Sequence, residues 1–284
     1  MFPIVAKEQL SAEVYSMWIH APLIARGRKA GQFVILQVDA AFGERIPLTI
    51  ADANPEAGDV RIIFQTVGAS TRRLAALEPG DALPVFLGPL GRPTEIAQRG
   101  TVVCVGGGIG VAPMHPIAQA LKAAGNRVIV VMGARNKGLL IMEEEMRRIA
   151  DELVVCTDDG SAGRKALVTE PLKEICAREK VDECFTIGPP IMMKFCALAT
   201  KPFGVPTVAS LNSIMIDGTG MCGGCRVLVG GKIKFVCVDG PEFDAHAVDF
   251  DNLMQRNRSF AAREREDACN LLKMADALGR EATP

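Results

Sequence analysis

The run Val102-Val103-Cys104-Val105-Gly106-Gly107-Gly108-Ile109-Gly110-Val111-Ala112-Pro113 constrains this chain more than any other stretch. An unbroken apolar segment reads as a buried strand, the glycines as a tight turn, and Pro113 as a helix start. A buried strand feeding a helix belongs to a parallel α/β sheet. The residues that follow agree with this: Thr101–Val105, Arg127–Met132, Leu153–Cys156 and Cys184–Ile187 read as strands, with helices over Pro113–Ala124, Glu143–Asp151 and Pro171–Arg178 between them.

A strand, glycine turn and helix in that order bring backbone N–H groups and a helix N-terminus up to a pyrophosphate. Gly107, Gly108, Gly110 and Pro113 are therefore candidate nucleotide-binding residues. A second loop, Gly188, Pro189, Pro190, Ile191, Met192 and Met193, follows a later strand and falls on the same rim of the sheet. Gly133 and Arg135 end the second strand without the acid that a Rossmann fingerprint places on the ribose. Asp158 lies on that rim too, either as a ligand residue or in a solvated turn.

Ahead of this unit the pattern changes to short β-rich segments broken by turns. Phe33–Val38, Val60–Gln65 and Asp81–Phe86 are examples, with turns at Pro79–Asp81 and Gly88–Gly91, as in a small antiparallel barrel. Arg45, Pro47, Leu48 and Thr49 end one segment, and Gly68, Ser70 and Thr71 follow another. A cation, hydroxyls and open backbone N–H groups suit a flavin diphosphate. The same residues also read as a surface charge and as the N-cap of a helix over Arg72–Leu77.

The third unit is marked by sulfur. Nine cysteines is an odd number, so ligation is a better first reading than a disulfide framework. Cys222 and Cys225 are spaced by two residues and Cys237 follows at a distance, in a glycine-rich setting whose backbone can approach sulfur. With Asp217 in the first position, the spacing is that of plant-type [2Fe–2S] sites. A structural zinc site with three cysteines and an acid, or three unrelated thiols, are the alternatives. The remaining six cysteines read as core residues. His20, His115 and His246 show no metal-ligand spacing, and no Ser/His/Asp or Cys/His arrangement is visible.

At 284 residues the chain has room for more than one domain. Its 32 Lys+Arg against 33 Asp+Glu leave no electrostatic case for nucleic acid or an anionic membrane. No apolar run reaches transmembrane length, and Lys7, Glu8 and Glu13 interrupt the position of a signal-peptide core, so a cytoplasmic location is expected. A charged helical tail is expected from Phe250 to Leu278, with Arg256–Asp267 as a solvated face.

Taken in order, the barrel segments, the 106–113 turn, the 188–193 loop and the 211–243 cysteine stretch resemble the ferredoxin–NADP reductase superfamily along nearly the whole chain. The branch is the one with a C-terminal [2Fe–2S] domain. It holds the electron-transfer subunit of type B dihydroorotate dehydrogenase and the small subunit of NADH-dependent ferredoxin:NADP oxidoreductase, also called the sulfide dehydrogenase β-like subunit. Aspartate in the first cluster position is similar to the second of these. The resemblance implies an FAD barrel over 1–97, an NAD(P)-binding α/β domain over 98–205, and a [2Fe–2S] domain with its helical tail over 206–284. It implies that Pro47, Leu48 and Thr49 face the flavin ring, with Thr49 near N5. Phe64, Gln65, Gly68, Ser70 and Thr71 would hold the diphosphate side, with Arg45 one step from the family's usual arginine. Asp217, Cys222, Cys225 and Cys237 would hold the cluster. The implied activity is electron transfer between NAD(H), FAD, the cluster and a larger flavin and iron–sulfur catalytic subunit. A non-catalytic, zinc-stapled nucleotide-binding module is the rival reading.

Overall fold

Alternating apolar and polar residues in the first third of the chain build one antiparallel sheet. Its strands are β1 (Phe2–Ser11), β2 (Val14–His20), β3 (Phe33–Gln37), β4 (Arg45–Asn54), β5 (Asp59–Gln65), β6 (Ala82–Leu83) and β7 (Val85–Leu90). The computed structural model describes residues 1–40, 43–267 and 269–270. The sheet order is β6-β1-β2-β5-β4-β3-β7, every pairing is antiparallel, and the sheet curls into a nearly closed barrel. Ile4, Met17, Ile19, Leu36, Ile62 and Phe64 fill its interior. Burying side chains of this size contributes about 1.5–3 kcal/mol each relative to leaving them exposed. Two helices, α1 (Pro22–Gly27) and α2 (Ala69–Ala76), interrupt the strands. The segment expected as one strand over Asp81–Phe86 is divided at Pro84, which ends β6 before β7 begins.

From Thr101 the chain alternates: β8 (Thr101–Gly107), α3 (Val111–Ala123), β9 (Arg127–Ala134), α4 (Glu143–Ile149), β10 (Glu152–Thr157), β11 (Arg164–Lys165), α5 (Thr169–Arg178), β12 (Glu183–Ile187), α6 (Pro190–Thr200) and β13 (Thr207–Ser210). The strand order β11-β10-β9-β8-β12-β13 is parallel throughout. Val102–Val105 and Val128–Met132 are fully buried, as strands covered on both faces must be. The stretch expected as a loop over 188–193 is helical from Pro190. Its prolines sit where the N–H groups of a first turn have no intrahelical partner.

The cysteine-rich stretch has little regular structure up to Cys225. It then forms a hairpin of β14 (Arg226–Val229) and β15 (Lys232–Phe235), followed by α7 (Val236–Asp239), β16 (Glu242–Asp244) and α8 (Phe250–Asn257). β16 returns to the second sheet and pairs antiparallel with β13. All three units share an apolar core in which Phe33 and Ile35 of the barrel, Met193 of α6, and Leu211, Cys225 and Phe250 pack together. Residues 261–267 are helical, and the part of the expected tail over 271–278 lies outside the described residues.

Candidate functional site

A cavity of 990 Å³ lies where the three units meet. The parallel sheet sets its nucleotide wall. β8, β9, β10 and β12 all end on one rim, and the turns leaving them contribute Gly107–Gly110 and Pro113, Gly133 and Arg135, Asp158, and Gly188–Met192. These carboxyl ends are where open α/β sheets take ligands. The Asp158 N–H donates to the Ala134 carbonyl at 3.1 Å, which ties two of the turns together. Arg135 and Asp158 are the only charged residues among the described lining.

Two glycines of this turn are fixed by their surroundings. Gly108 has φ +55°, and a Cβ there would meet nothing within 4 Å, so its backbone borders open space. Gly110 is required for the opposite reason, because a Cβ would run into the Ile187 carbonyl and Gly188. β8 and β12 thereby approach closely enough for both turns to share one rim.

The barrel supplies the facing wall through β4. Pro47, Leu48 and Thr49 line the cavity together with Gln65 at the end of β5. Thr49 is paired with Phe33 across the β3–β4 ladder, and Phe33 lines the cavity beside it. Other residues named from the sequence lie off this wall. Phe64 points into the barrel core and stacks on Tyr15 with ring centroids 6.1 Å apart. Arg45 is exposed at the start of β4, opposite Gln37. Gly68, Ser70 and Thr71 sit around the start of α2. Thr71 is the third residue of that helix rather than its cap; its hydroxyl accepts from the Gly68 N–H and donates to the Gly68 carbonyl, both at 3.1 Å. The Ser70 hydroxyl donates to Glu44 at 3.0 Å. Met193 is fully buried behind Met192.

A third wall, Ser210–Ser213 with Met215 and Pro241, comes from the segment leading into the cysteine stretch. Sequence reasoning missed it, as it missed Phe33, Val14 and Ile63. Short apolar and amide residues carry no chemical signature of their own. The clue available was position: the strand before Ser210 had to end on the same rim as the others.

Beyond this wall lies the candidate metal centre. The Sγ atoms of Cys225 and Cys237 are 3.2 Å apart and buried, while Cys222 is exposed. Burial, reinforced by the Cys225 thiol, pushes the Cys237 thiol up. Asp217 accepts from the Thr219 N–H at 3.0 Å and the Cys222 N–H at 2.7 Å. These backbone donors hold its carboxyl below the usual range. No three His, Cys, Asp or Glu side chains converge on one point among the described residues. A two-iron group takes two pairs of donors. Cys225 with Cys237, and Asp217 beside Cys222, are two such pairs, and three thiols with a carboxylate suit such a group.

Residues 212–249 match the model of the iron–sulfur cluster binding domain of dihydroorotate dehydrogenase B, and residues 104–197 match the oxidoreductase NAD-binding domain. The dihydroorotate dehydrogenase B electron transfer subunit homolog of Thermotoga maritima is 48% identical, over 96% of each chain. The corresponding electron transfer subunit of Bacillus caldolyticus is 37% identical over 86% of this chain and 96% of its own. Among solved structures, a chain of the NADH-dependent reduced ferredoxin-NADP oxidoreductase, described for flavin-based electron bifurcation, superposes with TM-score 0.91. It is 46% identical and covers 96% of this chain and 98% of that one. A ferredoxin NADP+ reductase from Neisseria gonorrhoeae with bound FAD and NADP shares the fold at TM-score 0.59 and 17% identity, over 72% and 90% of the two chains. The matches to the cluster-binding and NAD-binding models fall on the two walls built from the cysteine stretch and the parallel sheet, and the barrel completes the third. The chain belongs to the family of dihydroorotate dehydrogenase B electron transfer subunits.

Proposed function

We propose that the chain is an electron-transfer flavoprotein subunit that passes electrons between NAD(H), FAD and a [2Fe–2S] cluster, to or from a larger catalytic subunit, as in the NADH-dependent reduced ferredoxin-NADP oxidoreductase. One observation carries this reading: a single cavity is walled by the barrel, by the glycine turns of the sheet, and by the segment that runs on to the cysteines. Ser213 lines the cavity and Asp217 is four residues further on. A chain of four residues spans at most about 14 Å, so the cluster is held close to whatever fills the cavity.

When bound, FAD supplies exchange between two-electron hydride chemistry and one-electron transfer. The chain's own residues bind and orient. Pro47, Leu48 and Thr49 face the flavin ring, and the Thr49 hydroxyl offers a hydrogen bond near N5. Arg45, Phe64, Gln65, Gly68, Ser70 and Thr71 belong to the diphosphate side, Phe64 by packing and the others by polar groups. Gly107, Gly108, Gly110, Pro113, Gly133, Arg135, Asp158, Gly188, Pro189, Pro190, Met192 and Met193 form the NAD(H) side, Met193 by seating Met192. Asp217, Cys222, Cys225 and Cys237 hold the cluster. No helix among the described residues is long and apolar enough to cross a membrane, and the reading places the subunit in the cytoplasm.

The test is the purified protein itself. It should be yellow-brown, release FAD on denaturation, bleach on addition of NADH, and give a [2Fe–2S] EPR signal after reduction. A colourless protein holding one zinc would overturn the proposal. A second reading, service to a dihydroorotate dehydrogenase, is favoured by the names of the Thermotoga and Bacillus relatives. Activity of the isolated native complex with dihydroorotate, against that with NADPH and ferredoxin, separates the two.

A further inference from the structure

Three large apolar side chains that line the cavity are exposed: Leu167, Ile191 and Phe195. Their place in the fold follows from the glycines beneath them. Gly107 and Gly133 are paired across the β8–β9 ladder. A Cβ on Gly107 would run into Met192, and one on Gly133 into Val168, so Met192 and Val168 cap neighbouring strand ends side by side. Leu167 and Ile191 each precede one of these caps by one residue, and Phe195 lies one turn beyond Ile191 on the same face of α6. Leu172 and Cys176 of α5 share a core with Cys196 and Ala199 of α6, which holds the two helix starts together. The three exposed groups thus gather at one mouth of the cavity, and exposed apolar groups gathered in a groove mark a binding site.

Alternation along β8 decides which end of a bound dinucleotide lies there. Val102 and Cys104 face α3, in a core that also takes Ala51 and Ile63 of the barrel. Val103 and Val105 face the other way, onto α5 and α6. The barrel therefore covers one face of the sheet, and Leu167, Ile191 and Phe195 belong to the other. The same division recurs on α6. Met193 packs with Phe33 and Ile35 of the barrel, and Phe195, two residues on, points about 200° away from it. A nicotinamide set against Pro47–Thr49, with its phosphates at the glycine turn, must send its adenine end away from the barrel. Phe33 and Phe195 are the only aromatic rings among the described lining. Phe33 is 3% exposed and built into the wall, whereas Phe195 is 52% exposed and can take a flat ring on its face.

We infer that Phe195 is the adenine platform of this site: the base stacks on its ring, in a slot bordered by Leu167 and Ile191. The inference rests on the electron-transfer reading above, which brings NAD(H) to this rim, and adds the group that holds its far end. A contact so far from the flavin wall tightens binding without touching the reacting atoms.

The test uses the whole chain with its flavin, titrated calorimetrically with ADP-ribose, which carries the adenine and the diphosphate but no nicotinamide. Phe195→Ala should weaken this binding about 10- to 100-fold, as loss of one base–aromatic stack does. Phe195→Tyr keeps the ring and should stay within about threefold of wild type. Phe195→Leu keeps apolar bulk without a flat face and should lose at least about fivefold. A second readout compares NADH with reduced nicotinamide mononucleotide, which lacks the adenine. In Phe195→Ala the KM for NADH should rise about 10- to 100-fold, while that for the mononucleotide moves less than about twofold. Because Phe195 is exposed, the variants should keep the wild-type circular dichroism and flavin spectrum. Unaltered ADP-ribose binding in Phe195→Ala, full binding in Phe195→Leu, or an equal rise in KM for both reductants would each overturn the inference. A wild-type chain that binds neither ADP-ribose nor NADH would instead count against the electron-transfer reading, and the two failures are thereby separated.

Discussion

Glu242 opens β16 at the junction of all three units, and replacing it with glutamine should remove a measurable pH dependence of stability. Its Oε1 accepts from the Thr94 hydroxyl at 2.6 Å, across from the linker that leaves the barrel, and it lies beside Gly31. Burial pushes its carboxyl up to about 7; the Thr94 hydrogen bond opposes this, and the Glu183 carboxylate, itself paired with Arg99 at 2.8 Å, adds to it. An unfolded glutamate titrates near 4.5. Between those values the folded chain keeps a proton that the unfolded chain has released, so stability is complete below the lower value and falls as pH rises through the upper one. The loss is at most about 3 kcal/mol. For a chain of this size that corresponds to a Tm change of roughly 6–12 °C. Thermal unfolding should be followed by circular dichroism from about pH 4 to about pH 8, with cofactor loading held constant because bound ligands also shift Tm. Wild type should lose stability across this range relative to Glu242→Gln, and the two curves should meet at the acid end. Parallel curves would refute the reasoning and show that β16 is seated without regard to this carboxyl.

Other perturbations act on single walls of the cavity. Gly108→Val places a branched side chain at a positive φ on the nucleotide wall and should raise the KM for NADH at least about tenfold while the FAD spectrum is retained; an unchanged KM would move the phosphate site elsewhere. Gly110→Ala forces a Cβ into the Ile187 carbonyl and should cost about 1–3 kcal/mol in denaturant unfolding. Asp217→Cys should keep a [2Fe–2S] signal with a shifted potential, and Asp217→Ala should make the cluster labile. EPR and potentiometry decide this, and wild-type behaviour in both would remove Asp217 from the ligand set. Gly68→Trp should leave the purified protein depleted of flavin, read from its absorbance per chain.

Periodicity and glycine placement made the architecture legible. Consecutive apolar residues at 102–105 and 128–132, bounded by turn signals, read as strands covered on both faces, and the glycine turn put the start of α3 at Pro113, two residues after its actual start at Val111. Boundaries were less legible where one residue decides them, as at Pro84 and Pro190. The cavity was half visible. Residues with a chemical signature, such as the glycines, Thr49, Arg135 and the cysteines, could be named one by one. Phe33, Leu211, Ser213 and Pro241 could not, because their role comes from which strands end beside one another. Phe64 shows the converse: next to Gln65 in sequence, it points the opposite way because side chains alternate along a strand.

The pairing of β16 with β13 has a consequence for how the chain could be shortened. Without β16, β13 would be the outer strand of a parallel sheet, with the N–H and C=O groups of Val208–Ser210 left open along one side. Such an edge is a template for pairing with another molecule, and natural sheets cover it. Here the cover is supplied by the unit that carries the cysteines. Trimming the chain after Ser210 to obtain a simpler flavoprotein would therefore strip the protection from a sheet edge as well as remove a redox centre, and the product would tend toward self-association.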